Sequence, residues 1–314
     1  MTIQVFIDGA AGTTGLEIRE RLAGRSEISQ IVLADADRKD PAKRAEALNS
    51  ADFVVLCLPD EAAREAVALI ENERVRVIDA SSAHRVAPGW AYGLAELDPG
   101  QADAIATARF VSNPGCWPSG FLALVRPLVR AGLIPADWPL IYSGASGYSG
   151  GGRSMIAEFE DEAAPGFTAT AFRAYGLGLE HKHLPEMQKH ARIEHAPIFL
   201  PAVARVYRGM LGEVALPLHA FGRRPSIAAI EGALHDAYRD SPVVRVIEGS
   251  DEKTVTIEAD AGTDRMSLRV FGNAERGQAR LIATYDNLGK GAAGAAVQNL
   301  NIMAGLDPVA GLVL

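Results

Sequence analysis

The run Ser112-Asn113-Pro114-Gly115-Cys116, followed by an apolar helical stretch, puts a thiol directly after a tight turn. There the first amides of a helix point at the sulfur and lower its pKa toward the thiolate, the form that attacks carbon. Cys116 is therefore a nucleophile candidate, against the ordinary fate of an intracellular cysteine, which is to be a small buried core residue. Gly115 lets the backbone approach a ligand closely, and Pro114 stiffens the turn. Trp117-Pro118-Ser119-Gly120 then opens a helix carrying Phe121, Leu122, Leu124, Val125, Leu128 and Val129 at helical spacing, closed by Gly132, with Pro127 expected to kink it. The other cysteine is a control: Cys57 lies in the continuous apolar run 53–58, which reads as a strand buried on both faces, and is expected to pack.

A thiolate nucleophile needs a proton manager, and two of the seven histidines stand together in Leu179-Glu180-His181-Lys182-His183-Leu184-Pro185-Glu186. Pro185 suits the first position of a helix. His183 and Glu186 are then three apart, so the carboxylate can orient the imidazole or bind substrate from the same face, while His181 lies on the preceding extended segment. The same pattern could hold a metal, but no third ligand of suitable type stands nearby, so acid/base chemistry is favoured and no metal is expected. Either imidazole could face the sulfur. Between thiol and histidines, residues 143–153 are too rich in glycine for a packed strand and read as a substrate loop, with Ser149 and Gly150 wrapping an acyl or phosphoryl group and Arg153 contacting an anion.

These groups need elements to position them. The N-terminal third alternates strand and helix: residues 3–8, a glycine turn, then a helix over 16–22. In the turn, Gly9, Ala11, Gly12, Thr13, Thr14 and Gly15 offer backbone amides, close approach and hydroxyls to a pyrophosphate at a helix start. A second strand over 31–34 leads to Asp35, which favours NAD by accepting from a 2′-hydroxyl, and to Arg38 and Lys39, which favour NADP by charge. Further strands at 54–59 and 75–79, separated by a helix over 61–70, end at Pro59 and at Ser81, Ser82, His84 and Arg85, where ligands of such sheets gather. Residues 197–285 read largely as strands, including 254–257 and 281–284, and the polar glycine turn 286–294 opens a small-residue helix that returns to the nucleotide domain. The fold class expected is α/β: a doubly wound Rossmann-type sheet domain over 1–115, completed by a C-terminal helix over 287–314, plus an α+β catalytic domain with a mixed sheet over 116–286.

Composition agrees with a well-buried globular chain: 48% of the 314 residues are apolar and 22% charged. A net charge of −8, with no block of Lys or Arg, argues against a nucleic-acid or membrane-surface partner and for a small-molecule substrate. Two cysteines in such different settings give no disulfide framework, and no basic start or long apolar stretch precedes the first strand, so a soluble cytoplasmic protein is expected.

The chain resembles the N-acetyl-gamma-glutamyl-phosphate reductase family of arginine biosynthesis, in its shorter subtype, over nearly its whole length. The resemblance is carried by residues 9–15, by Leu56-Cys57-Leu58-Pro59-Asp60, by 79–85 and 112–116, by 146–152 and by Asp286-Asn287-Leu288-Gly289-Lys290-Gly291-Ala292. It implies an NADP-dependent reductase in which Cys116 is the nucleophile and His183 the acid/base that protonates a collapsing thiohemiacetal. It further implies that Gly9, Ala11, Gly12, Thr13, Thr14, Gly15, Arg38, Lys39, Pro59, Ser81, Asn287 and Lys290 hold the cofactor. Ser82, Arg85, Asn113, Ser149, Gly150, Arg153, His181 and Glu186 would meet the substrate, and the protein would be a homodimer or homotetramer. Trp117 stands where the family usually has Tyr, and Ala295 where Gln is common. Aspartate-semialdehyde dehydrogenases and aminoadipyl-phosphate reductases share the thiol and the two-domain plan, and a non-catalytic NADP-sensing protein is the reading from another class.

Overall fold

The computed structural model describes residues 2–34, 36–249 and 252–314. The chain begins β1 (Ile3–Asp8), α1 (Thr13–Leu22), β2 (Ile28–Ile31), α2 (Pro41–Ser50), β3 (Phe53–Leu56), α3 (Asp60–Ala68), β4 (Arg76–Asp79), β5 (Ala91–Tyr92), α4 (Gln101–Thr107) and β6 (Phe110–Ser112). It continues with α5 (Cys116–Arg130), β7 (Ile141–Gly147), α6 (Gly152–Glu160), β8 (Phe172–Ala174), α7 (Leu184–Ala191), β9 (Ile198–Ala204), β10 (Met210–Leu216), α8 (Ile227–Tyr238), β11 (Val244–Ile247), β12 (Met266–Asn273), β13 (Gln278–Tyr285) and α9 (Gly294–Ala304). Two compact units result: Met1–Ala95, Gly100–Gly115 and Ala292–Leu312 form one, and Glu96–Pro99, Cys116–Gly291 and Val313–Leu314 the other.

The first unit is built on a parallel sheet of order β2-β1-β3-β4-β6-β5. Alternation along β1 explains its two faces: Val5 and Ile7 join Val55, Ile78, α1 and α9 in one core cluster, while Phe6 joins Val54, Leu56, Val77, α2 and α3 in another. A parallel sheet with helices on both faces is the doubly wound architecture. Local chemistry sets the helix starts. Asp40 caps α2 by accepting from the Ala42 and Lys43 amides at 2.8 and 3.2 Å, with Pro41 at the first helical position. The second strand falls at Ile28–Ile31 and not over 31–34, leaving Val32 61% exposed beside the glycine turn. The first helix starts at Thr13, three residues before the apolar pattern does.

The second unit carries a mixed sheet of order β11-β12-β13-β10-β7-β9-β8. Here the expectation of a loop over 143–153 fails, because residues 141–147 form β7, paired with β9 and β10. Close packing explains the glycines: a Cβ at Gly144 would lie 2.1 Å from the Leu211 carbonyl and 3.0 Å from the Trp117 ring. Residues 254–257 form no strand, and Thr254 and Thr256 are exposed there. The helix α5 lies on one face of this sheet, against β10, β13, α7 and α8. It runs on through Pro127 to Arg130: the Ala123 carbonyl, which the missing Pro127 N–H cannot serve, accepts from the Tyr238 hydroxyl at 2.8 Å.

An arginine cluster ties α5 to the segment before it. Asp98 accepts from Arg126 Nε at 3.0 Å and Arg130 Nη1 at 2.7 Å, and Arg192 Nη2 lies 3.3 Å away. Burial raises the Asp98 carboxyl, and the bonds from Arg126 and Arg130 more than reverse this, leaving it below its ordinary 3.8. A depressed carboxyl stabilises the fold above its unfolded pKa and loses that contribution as pH falls. Asp98→Asn is accordingly expected to cost about 3 kcal/mol at pH 7, because Arg126 stays buried without its counter-charge. The deficit should shrink as pH drops below about 4, a window read from thermal melts of both proteins across pH.

Candidate active site

Every residue from 111 to 128 is buried except Cys116, which is half-buried. Its sulfur-bearing position opens α5, and Tyr285 donates its hydroxyl to the Cys116 carbonyl at 2.8 Å. Trp117 faces the opposite way, into the core, where its indole Nε1 donates to the Tyr175 hydroxyl at 2.8 Å and its ring meets Tyr142 and Phe199 edge-on. Burial first, and the Cys116 charge second, raise the Tyr175 phenol, while burial, Tyr142 and Cys116 raise Tyr285 well above 10.0. Burial and Cys116 likewise raise Tyr142, against a lowering bond from Tyr285. Tyr285 and Tyr175 thus reach the Cys116 backbone and its neighbour Trp117 as neutral phenols. Cys57 falls just past the end of β3 and is half-buried against the core, not within a strand buried on both faces; burial, with Asp79 and Asp8 adding to it, pushes its thiol up to about 12.

The histidine pair lies in the same unit as the thiol. His183 is the N-cap of α7 and 6% exposed, Leu184 takes the first helical position that Pro185 was expected to hold, and Pro185 comes second. The His183 amide donates to His181 Nδ1 at 3.2 Å, and the two rings are 4.6 Å apart. An Nδ1 that accepts leaves the neutral ring's proton on Nε2, so His181 is held as a donor at that atom. His181 also packs edge-on against Phe199, 5.2 Å away. Glu186 is 1% exposed in the first turn of α7.

Three expected site residues, Asn287, Ser149 and Gly150, converge in this unit. Asn287 donates to Ser149 Oγ at 2.8 Å and accepts from the Gly209 amide at 3.0 Å, and Gly150 lies against the same amide group. Lys290 is 1% exposed with Nζ 2.7 Å from Glu96 Oε2. Arg153 is exposed on α6. Arg208, which the sequence did not single out, lies 3.7 Å from Asp286 in the connection beside Gly209.

In the first unit, the glycine turn fits a dinucleotide. Gly9 has φ +88, and a Cβ on it would lie 2.2 Å from the Cys57 carbonyl; Gly12 caps α1 with no side-chain bond to the first amides, which leaves them to an anion. Gly9, Ala10 and Ala11 share a groove of about 360 Å3 with Arg19, Arg38 and Arg44, and Arg44 also pairs with Asp8 at 2.7 Å. Arg19 lies on the helix that the turn opens, whereas Arg44 had no local signal, since only folding brings α2 to the turn. Asp35 and the Lys39 side chain lie outside the described residues. At the end of β4, Ser81 donates through N and Oγ to Asp79, and Ser82 through N and Oγ to Asp60. His84 Nδ1 is 2.6 Å from Asp79. Arg85 is buried, donating to the Asn113 and Ala80 carbonyls at 3.0 and 3.1 Å, and Asn113 donates to Ala292 O while accepting from Asn299. Pro59 precedes the first turn of α3 and accepts from Ala63. Among the described residues no three His, Cys, Asp or Glu side chains are grouped to hold a metal, and no helix is long and apolar enough to cross a membrane.

Residues 4–105 match the NAD binding domain of the semialdehyde dehydrogenases, and residues 116–287 their dimerisation domain. N-acetyl-gamma-glutamyl-phosphate reductases of Mesorhizobium japonicum and Brucella ovis are 51% and 48% identical over 98% and 97% of the chain and all of theirs. The fold is shared with aspartate semialdehyde dehydrogenase II of Vibrio cholerae, TM-score 0.73 at 16% identity, covering 97% of this chain and 99% of that one. The aspartate semialdehyde dehydrogenase of Francisella tularensis superposes at 0.71 with 14% identity, over 96% and 100%.

Proposed function

Because the chain belongs to the semialdehyde dehydrogenase family, among the N-acetyl-gamma-glutamyl-phosphate reductases, we propose that it reduces N-acetyl-L-glutamyl 5-phosphate with NADPH, giving N-acetyl-L-glutamate 5-semialdehyde and phosphate. The observation that carries the reading is Cys116, half-buried at the start of a helix whose other residues are buried through Leu128. The thiolate attacks the acyl carbon, backbone amides at the start of α5 hold the oxyanion, and phosphate leaves to give a thioester. His183 takes the thiol proton and supplies one to the departing phosphate, and His181 donates through Nε2. Residues 9–15 would hold the dinucleotide, which would supply a hydride to the acyl carbon. When the carbon–sulfur bond then breaks, the thiolate is restored. Ser149 and Gly150 shape the acyl site, and Arg85 and Arg153 serve the anionic groups of the substrate. The protein works as a homodimer or homotetramer.

Three arginines in one groove support NADP as the cofactor, since a guanidinium grips a 2′-phosphate that NAD lacks. The test runs the reaction in reverse, offering N-acetylglutamate semialdehyde or aspartate semialdehyde with phosphate and either cofactor. Turnover is expected with the acetylated semialdehyde and NADP. Arg38→Ala should raise KM for NADP about tenfold while leaving KM for NAD within about twofold. Preference for aspartate semialdehyde would reject the acyl assignment, and an equal loss with both cofactors would reject the role of Arg38.

A further inference from the structure

We propose that Asp286 is a positioning residue: its carboxylate folds the turn after β13 so that Asn287 holds the acyl loop 147–151 in place beside the thiol. Asp286 is 0% exposed, and a carboxylate persists at such a site only where donors surround it. Oδ1 accepts from the Leu288 and Gly289 amides at 2.7 and 3.0 Å, which closes the turn on itself. Oδ2 accepts from the Gly262 amide at 2.6 Å, with Arg208 Nη1 3.7 Å away. The Asp286 carbonyl accepts from the Gly291 amide at 3.0 Å, a bond spanning five residues, and π-type turns of this kind recur at functional sites. A Cβ on Gly291 would lie 3.1 Å from the Cys116 Cβ, so the turn that Asp286 folds runs against the nucleophile itself.

Closing such a turn takes one acceptor oxygen, which an asparagine or a serine also offers. Only a carboxylate adds a second acceptor for Gly262, so the charge serves the tie between distant segments. The segment at the other end of that tie is fixed: Asp260, 3% exposed, accepts from the Thr284 and Ser267 hydroxyls at 2.6 and 2.9 Å. What the tie holds is the next side chain. Asn287 donates to Ser149 Oγ at 2.8 Å and accepts from the Gly209 amide at 3.0 Å, and both Asn287 and Ser149 are 1% exposed. The amides of Gly147, Tyr148 and Ser149 donate to the Gly209, Val206 and Tyr207 carbonyls at 2.8, 2.9 and 3.1 Å, so the two segments that Asn287 bridges move as one. Freeing the turn at Asp286 therefore shifts Ser149 and Gly150 while the thiol stays on α5.

The turnover readout rests on the reductase reading, whereas the exchange and alkylation readouts do not. Asp286→Asn, Asn287→Ala and the double variant are compared with wild type by reverse-direction turnover, by hydrogen exchange over 147–151 and 206–209, and by the rate at which iodoacetamide alkylates the peptide holding Cys116. Asp286→Asn, whose NH2 must face one of the amide donors, should lower kcat at least about tenfold, the cost of a small misplacement at a reacting centre. Both segments should exchange at least about tenfold faster, and alkylation should stay within about threefold of wild type. In kcat the double variant should lose no more than about twofold beyond Asn287→Ala, since residues that act as one unit are not additive. If Asp286→Asn does not fold by circular dichroism, Asp286→Ser, which keeps an acceptor for the turn and offers Gly262 none, carries the same expectations. A double variant whose loss is the product of the two single losses, alkylation that falls in step with turnover, or unchanged exchange over 147–151 would each overturn the proposal. A wild type that turns over neither semialdehyde would reject the reductase reading, and the exchange and alkylation results would then decide the positioning alone.

Discussion

Cys116→Ser is expected to lower phosphate-dependent turnover by at least about a thousandfold, because an alcohol at the head of α5 cannot be held as the anion that a thiol forms there. The substitution changes little else. Cys116 is half-buried, and its carbonyl bond from Tyr285 does not involve the side chain, so the melting temperature should stay within about 2 °C. The dinucleotide turn belongs to the other unit, and NADP affinity should hold within about twofold. Mass spectrometry supplies the direct check: wild type incubated with acyl phosphate without reductant gains the acyl mass on the peptide holding Cys116, and the serine form does not. Residual turnover above about a tenth of wild type would remove the covalent step.

The features that were legible in the sequence are local ones. The turn 9–15 follows a strand and precedes a helix, and Asn113-Pro114-Gly115-Cys116 is a helix start whose apolar spacing continues in one direction, so each declares itself within about fifteen residues. A continuous apolar run likewise anticipated the parallel sheet, since Phe53–Leu56 is buried on both faces. What the sequence hid depends on partners far along the chain. Glycine at 144 looks like loop chemistry until β10 lies beside it and the Trp117 ring fills the space a side chain would need. The alternation of residues 254–257 imitates a strand, but no neighbouring strand offers it a register. The hydroxyls of Tyr285 and Tyr175 reach the Cys116 carbonyl and the Trp117 indole from β13 and from the connection after β8, and no motif links them. Arg44 enters the nucleotide groove in the same way, from a helix that only the sheet brings to the turn.

Lys290→Met is expected to destabilise the protein by about 3–5 kcal/mol, the cost of leaving a buried charge without its partner. Lys290 Nζ lies 2.7 Å from Glu96 Oε2, with the two side chains only 1% and 9% exposed, so removing the ammonium strands a carboxylate that water barely reaches. For a chain of this length the loss corresponds to a fall in melting temperature of roughly 5–8 °C. Adding Glu96→Leu should restore most of it, because replacing both members of a buried pair by apolar groups is close to neutral. This double variant also separates the two roles open to Lys290. If the lysine chiefly holds Glu96, the double variant regains stability and keeps its KM for NADP within about twofold. If it instead contacts the cofactor, KM rises tenfold or more in both variants while melting barely moves, which thermal melts and initial rates on the same preparations distinguish.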